Sequence, residues 1–327
     1  PRGADVTTTA PPPIDVVQAI AARARADGRL RVGSELASAA GTTHALQCDV
    51  VIVGSGAGGA VLAAGLAERG LDVVVLEAGG YFTSADFDLQ EGHALPMLYQ
   101  DRGTRATVDM AINVLQGRSV GGSTTVNWTT CYRTPPAILR HWQTRHGLAE
   151  LTEAELAPHF AAVERRLSIS PWPKAQANAN NRRLLDGAHK LGWQADGTAR
   201  NVRGCANSGY CGLGCPVDGK QAMGITYLSD LLGAGGRLYA DCRVVDVDVG
   251  NDGRARGVNA EVVDRDTGRA TGATVSVQAK VVVLSGGAIN TPALLLRSRI
   301  AGGPVGERTF IHPVVGVAGV YTEKIAG

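Results

Sequence analysis

The chain is short of several things that whole protein classes require. Its 327 residues include only four Phe, four Trp, seven Tyr and three Met. Lys and Arg number 32 against 30 Asp and Glu, a net charge of +2, and charged residues make up 19%. A balance so near zero excludes electrostatic nucleic-acid binding as the main role. No apolar run reaches the roughly 18 residues of a membrane-spanning helix. Six cysteines in so long a chain do not make a disulfide scaffold. The 44% hydrophobic content excludes a largely disordered chain. The length allows a large core and about two domains.

What the chain has in excess is glycine, 43 residues, nearly twice the usual share of roughly 7%. The glycines fall at places where the pattern changes. Residues 1–13 read as a flexible tail with Pro11, Pro12 and Pro13 in sequence and no apolar signal core. That leaves the compartment open, with a soluble cytoplasmic setting favoured. The chain opens on Pro1 rather than Met, so the gene product is expected to begin upstream. Residues 14–40 show helical spacing interrupted at Gly28.

Cys48-Asp49-Val50-Val51-Ile52-Val53 reads as a buried strand of a parallel sheet. Gly54-Ser55-Gly56-Ala57-Gly58-Gly59 follows, then an Ala- and Leu-rich helix over 60–69 ended by Gly70. A second strand over 71–77 completes a β-α-β unit. Gly54, Gly56 and Gly59 fit G-x-G-x-x-G in the context that gives the motif meaning. The first glycine permits the tight turn, the second lets a pyrophosphate approach the backbone, and the third lets helix and strand pack closely. The helix start offers free N–H groups to phosphates. Glu77, closing the second strand, is placed to accept hydrogen bonds from ribose hydroxyls. NAD and FAD share this fingerprint.

Further along, 81–116 reads as loop and short helix, and 136–190 as mostly helical, broken at Pro158 and at Pro171-Trp172-Pro173. Residues 238–279 alternate as a three-stranded antiparallel meander, with a separate buried strand over 280–285 and a helix over about 291–298. Gly121 and Gly122 leave a backbone that can run against a flat ring or a diphosphate. Ser123, Thr124 and Asn127 can bond the polar edge of such a ring. Gly286 lies at the end of a parallel strand, where these sheets bind ligands.

Two of these segments bear a family resemblance. Gly117-Arg118-Ser119-Val120-Gly121-Gly122-Ser123-Thr124-Thr125-Val126-Asn127 resembles the first signature of the glucose–methanol–choline (GMC) flavoprotein oxidoreductases, and the run from Gly287-Ala288-Ile289-Asn290-Thr291-Pro292 to Ser298 resembles the second. Val305-Gly306 to His312-Pro313 looks like the stretch that follows it, and the resemblance covers roughly residues 48–321. It implies an α/β fold: a Rossmann-like FAD-binding domain, with parallel sheet and β-meander, over 48–135 and 200–300. A second, discontinuous and incomplete substrate domain would occupy 136–199 and 301–327, behind a tail and helical segment over 1–47. The candidate FAD contacts are Gly54, Ser55, Gly56, Ala57, Gly59, Glu77, Ala78, Gly117, Gly121, Gly122, Ser123, Asn127, Val244 and Gly286; Val244 matches the position whose backbone meets the adenine.

The implied chemistry is oxidation of an alcohol CH–OH group, with a hydride passing to flavin N5 and electrons going on to oxygen or another acceptor. The implied base is a His paired with a His or Asn in a C-terminal segment of the same protein beyond the matched region. None of His44, His93, His141, His146, His159, His189 and His312 is therefore assigned as catalytic. A catalytically silent flavin-binding fragment is the alternative from another class.

Cys205, Cys211 and Cys215 fall within eleven residues, before Pro216. The spacing resembles that of sugar dehydrogenase subunits with a three-iron cluster. Gly214-Cys215-Pro216 followed by Lys220-Gln221 also resembles alcohol-oxidase-like members. The readings are a structural thiol loop, an iron–sulfur cluster, or a zinc site, the last disfavoured because the loop has no fourth ligand.

Overall fold

The computed structural model describes residues 10, 12–37, 39, 41–300, 302–312, 316 and 318–325. Most of the expected proline-rich tail, including Pro11, and Pro313 of the stretch after the second signature lie outside the described residues. Helix α1 (Ile14–Ala26) stops before Gly28, whose φ of 71° continues no helix. A two-residue strand, β1 (Leu30–Arg31), and one turn, α2 (Gly33–Leu36), occupy the rest of the stretch expected to be helical. Strand β2 (Thr43–Val53) runs into the glycine loop, α3 (Ala57–Ala67) leaves it, and β3 (Val73–Leu76) returns parallel to β2. Helix α4 (Glu91–Leu98) follows, then α5 (Pro136–His146) and α6 (Glu153–Arg166). A small hairpin, β4 (Ile169–Pro171) with β5 (Ala199–Asn201), encloses α7 (Ala179–Lys190). Then come α8 (Tyr227–Gly233), β6 (Arg237–Tyr239), β7 (Cys242–Val249), β8 (Ala255–Val263), β9 (Ala270–Leu284) and α9 (Gly287–Arg297).

Seven strands make one sheet in the order β1-β6-β3-β2-β9-β8-β7. The first five are mutually parallel; β8 and β7 add antiparallel at the edge. This is the Rossmann-like α/β arrangement with its meander. Helix α3 lies close to α8 because its packing side chains are Ala60, Ala63, Ala64 and Ala67, set in one core with Tyr227, Leu228 and Leu231. Those small residues leave room for larger partners without a void.

Two further features depart from the sequence reading. The late strand and the last meander strand are one element. β9 pairs antiparallel with β8 as far as Gln278 and parallel with β2 from Thr274 to Leu284. The change of pattern near Lys280 marks where β8 falls away, not a break in the chain. Pro158 does not interrupt α6. The helix carries it as an interior proline, giving up the N–H bond to the Ala154 carbonyl and crowding that carbonyl with the ring, and the flanking turns hold the helix together.

Arg166, at the end of α6, is 1% exposed. It grips Asp230 of α8 through Nε at 2.7 Å and Nη2 at 2.8 Å. Removing one partner of a buried pair strands the other charge. Arg166→Ala should therefore lower stability by about 3 kcal/mol, read from the urea midpoint; an unshifted midpoint would refute the pairing.

Candidate functional site

The loops at the C-terminal ends of β2, β3 and β9 enclose a cleft of about 490 Å³. The ladder sets its floor: the Gly54 N–H donates to the Leu76 carbonyl at 2.9 Å, and the Ser285 N–H to the Val53 carbonyl at 2.8 Å. All three strands thus end together, the usual place for a ligand in an open parallel sheet. Of the expected contacts, Gly54, Gly56, Ala57, Glu77, Ala78, Gly117, Gly122, Ser123, Val244 and Gly286 line it. Ser55, Gly59 and Gly121 do not line the cleft. Asn127 is exposed and lies outside it.

The three motif glycines have separate reasons to be glycine. Gly54 has φ 99°, and a Cβ there would stand 2.6 Å from the Ser285 carbonyl oxygen. A Cβ on Gly59 would collide with the Gly54 carbonyl oxygen. Gly56 has an ordinary φ of −67° and nothing within 4 Å of its Cβ position. Neither backbone nor packing demands glycine at that point, so the space above it is left for something else. Gly56 is also the N-cap of α3, which has no side-chain cap. The first-turn N–H groups and the positive end of the helix therefore open towards the cleft. Arg105, Arg118, Arg243 and Arg297 line the same cleft with Glu77, and of these Arg105 is paired with Asp101 at 2.7 Å and Arg243 with Glu261 at 2.8 Å. Helix end, open glycine and the arginines suit a diphosphate.

Glu77 is buried. Its Oε2 accepts from the Ser55 hydroxyl at 2.6 Å and the Ser55 N–H at 3.0 Å, and its Oε1 accepts from the Gly79 N–H at 2.8 Å. Burial pushes the carboxyl above the usual range, with these hydrogen bonds pulling back. A carboxylate accepts roughly four such bonds, so one place remains, on Oε1, for a ligand hydroxyl. The Ser55 hydroxyl in turn accepts from the Gly121 N–H at 3.0 Å. Glu77 thereby ties the first glycine loop to the 117–122 loop, and a Cβ on Gly122 would come within 2.9 Å of the Gly56 Cα.

Sequence reasoning missed the polar rim. Arg105 Nη1 donates to Gln116 Oε1 at 2.8 Å and to Asn290 Oδ1 at 3.0 Å, joining the 105–116 stretch to α9. No local pattern marks these residues, since Gln116 is 11 and Asn290 is 185 positions from Arg105. None of the seven histidines lines the cleft.

The cysteine loop borders a second cavity, of about 390 Å³, lined by Cys205, Cys211, Cys215, Trp172, Arg200 and Lys220 among others. Each thiol has its own neighbour. Arg200 Nη2 donates to Cys211 Sγ at 3.4 Å, the Lys220 N–H to Cys215 Sγ at 3.4 Å, and the Asn207 N–H to Cys205 Sγ at 3.5 Å. Among the described residues no group of three or more His, Cys, Asp or Glu is placed to hold a metal ion. The iron–sulfur expectation at Cys205, Cys211 and Cys215 is thus corrected: the thiols share a cavity wall without converging on one point. Among the described residues no helix is long and apolar enough to cross a membrane.

A family model described as GMC oxidoreductase matches residues 95–314, and one described as an NAD(P)-binding Rossmann-like domain matches residues 52–99. An uncharacterized GMC-type oxidoreductase of Mycobacterium tuberculosis (strain ATCC 25618 / H37Rv) is 36% identical over 313 residues, 93% of this chain and 48% of the relative. A long-chain-alcohol oxidase of Arabidopsis thaliana is 32% identical over 287 residues, 85% of this chain and 38% of the relative. The chain thus spans half or less of the length of these curated relatives. Among solved structures, pyridoxine 4-oxidase from Mesorbium loti matches with a TM-score of 0.59 at 22% identity, over 77% of this chain and 52% of that one. A formate oxidase matches with a TM-score of 0.56 at 18% identity, over 79% and 48%.

Proposed function

The chain belongs to the GMC oxidoreductases, and from that premise we propose that it forms the FAD-holding part of an enzyme that oxidises an alcohol CH–OH group by hydride transfer to flavin N5. The observation that carries the reading is the open space over Gly56 at the uncapped start of α3, faced by the 117–123 loop. When bound, the flavin supplies the acceptance of a hydride, which no amino-acid side chain can do.

The chain's own residues bind and orient. The start of α3 and Gly56 would hold the diphosphate, with Arg118 and Arg243 adding positive charge to the same cleft. Glu77 would take a ribose hydroxyl on its remaining Oε1 position, and the backbone at Val244 would meet the adenine. The 117–123 loop and Gly286 would flank the ring, with Asn127 beyond the cleft at its polar edge. We take 48–135 with 200–300 as the cofactor unit and 136–199 with 301–327 as part of the substrate unit. The catalytic base is assigned to none of the seven histidines, since none lines the cleft. A long-chain alcohol is the substrate class we favour, because that is what the Arabidopsis thaliana relative's name specifies.

Titrating the chain with FAD should give one tight site by quenching of flavin fluorescence. A chain that stays colourless and leaves the fluorescence unchanged would defeat the proposal. In the protein of which this chain is part, anaerobic addition of long-chain alcohols should bleach the flavin band; a stable band with every alcohol would favour the catalytically silent reading.

A further inference from the structure

Lys220 has no part in the cofactor reading, yet it is one of the most enclosed charges in the molecule, 4% exposed. Its ammonium donates to three backbone carbonyls: Thr125 at 2.8 Å, Asn127 at 2.8 Å and Cys211 at 2.6 Å. An ammonium has three N–H groups and no acceptor, so each donor is matched to one main-chain oxygen. A buried charge needs such compensation, and here carbonyl dipoles supply it in place of a carboxylate. Burial pushes the group down to about 8, with the Cys211 and Cys215 thiols pulling upward and Arg200 adding to the downward push. Its three carbonyl acceptors call for the three N–H groups of the ammonium form.

The two segments it joins are remote in sequence. Thr125 and Asn127 continue the stretch whose Gly117, Gly122 and Ser123 face the cleft; Cys211 belongs to the cysteine loop. The lysine is itself rigidly mounted. The Gln221 N–H donates to the Asn201 carbonyl at 3.0 Å, and Asn201 Nδ2 returns a bond to the Gln221 carbonyl at 3.0 Å. Gln221 Nε2 reaches back to the Asp218 carbonyl at 3.2 Å. Two residues on, the Met223 N–H donates to Thr124 Oγ1 at 3.0 Å. The same short segment thus grips Thr124, which lines the cleft, and the Thr125 and Asn127 carbonyls just beyond it.

We propose that Lys220 is a positioning residue: by pinning the Thr125 and Asn127 carbonyls to the cysteine loop, it holds the 117–124 wall in the shape that receives the cofactor. The inference rests on the flavin reading for what the wall receives, while the clamp itself is a property of the protein alone.

The test compares the full chain with Lys220→Met, which keeps the unbranched stem as far as Cε and loses all three donors, and Lys220→Arg, which keeps charge and donors. Amide exchange should show protection over residues 119–128 falling on the order of 10-fold in Lys220→Met, the size of one or two lost net hydrogen bonds, with β7, β8 and β9 unchanged. FAD affinity should fall by a similar factor, and Lys220→Arg should restore part of both. Unchanged protection over 119–128 would overturn the proposal. Failure of the unmodified chain to bind FAD would instead count against the flavin reading and leave the clamp to be judged by protection. Should Lys220→Met not fold, 15N-lysine spectra of the unmodified chain decide. A slowly exchanging ammonium signal that vanishes in Lys220→Arg supports the clamp, and its absence from the unmodified chain refutes it.

Discussion

Gly56→Val is expected to leave the chain folded and to remove its capacity to retain FAD. The position has an extended conformation open to valine, with φ −67° and ψ −170°, and its Cβ meets no protein atom within 4 Å. Stability should therefore change by no more than about 1 kcal/mol, the scale of an altered N-cap. The isopropyl group would stand where the diphosphate approaches the first turn of α3. Two charge-assisted hydrogen bonds lost there, at roughly 1.5–3 kcal/mol each, predict an affinity loss of at least about 100-fold. Fluorescence titration and a melting curve measure the two halves separately. Gly59→Val supplies the contrast. Its Cβ would strike the Gly54 carbonyl, so it should lose stability as well as flavin. If Gly56→Val binds FAD as the parent does, the cleft has been assigned to the wrong ligand group.

Glu77→Ala should be the most destabilising single change in the cleft. It deprives the Ser55 N–H, the Ser55 hydroxyl and the Gly79 N–H of their acceptor in a buried place. At roughly 1–3 kcal/mol for each unsatisfied donor, a loss on the order of 5 kcal/mol follows, enough to unfold many domains at ambient temperature. Glu77→Gln keeps one acceptor oxygen and should lose about half as much. Urea unfolding of the two variants gives the comparison. Equal, small losses in both would show that Glu77 does not hold the two glycine loops together.

The first half of the site is legible in the residues because its causes are local. A β-branched run, a glycine-spaced turn, an alanine-rich helix and a second run ending in Glu77 each follow from periodicity and turn chemistry within about thirty residues. The 117–122 glycines could also be picked out as a backbone made for close approach. Their partner could not: Gly121 bonds to Ser55, 66 positions away. Its place at the strand end suits Glu77 to accept from a ribose, yet most of its accepting capacity is used inside the protein. The cysteine spacing suggested a shared ligand, and the fold gave each thiol a different neighbour. Spacing along a loop does not determine where the side chains point once Arg200 and Lys220 have packed among them.

By itself, then, the order of residues determined the β-α-β unit, the place of the tight turn and the existence of a meander, all short-range consequences of side-chain period and of where glycine relieves the backbone. Only tertiary structure decided that β9 serves both the meander and the parallel sheet, that two glycine loops meet around Ser55 and Glu77, and that Lys220 reaches three carbonyls from two remote segments. Those contacts form when distant segments are brought together to bury apolar surface and satisfy main-chain polar groups. No window of neighbouring residues encodes that pairing.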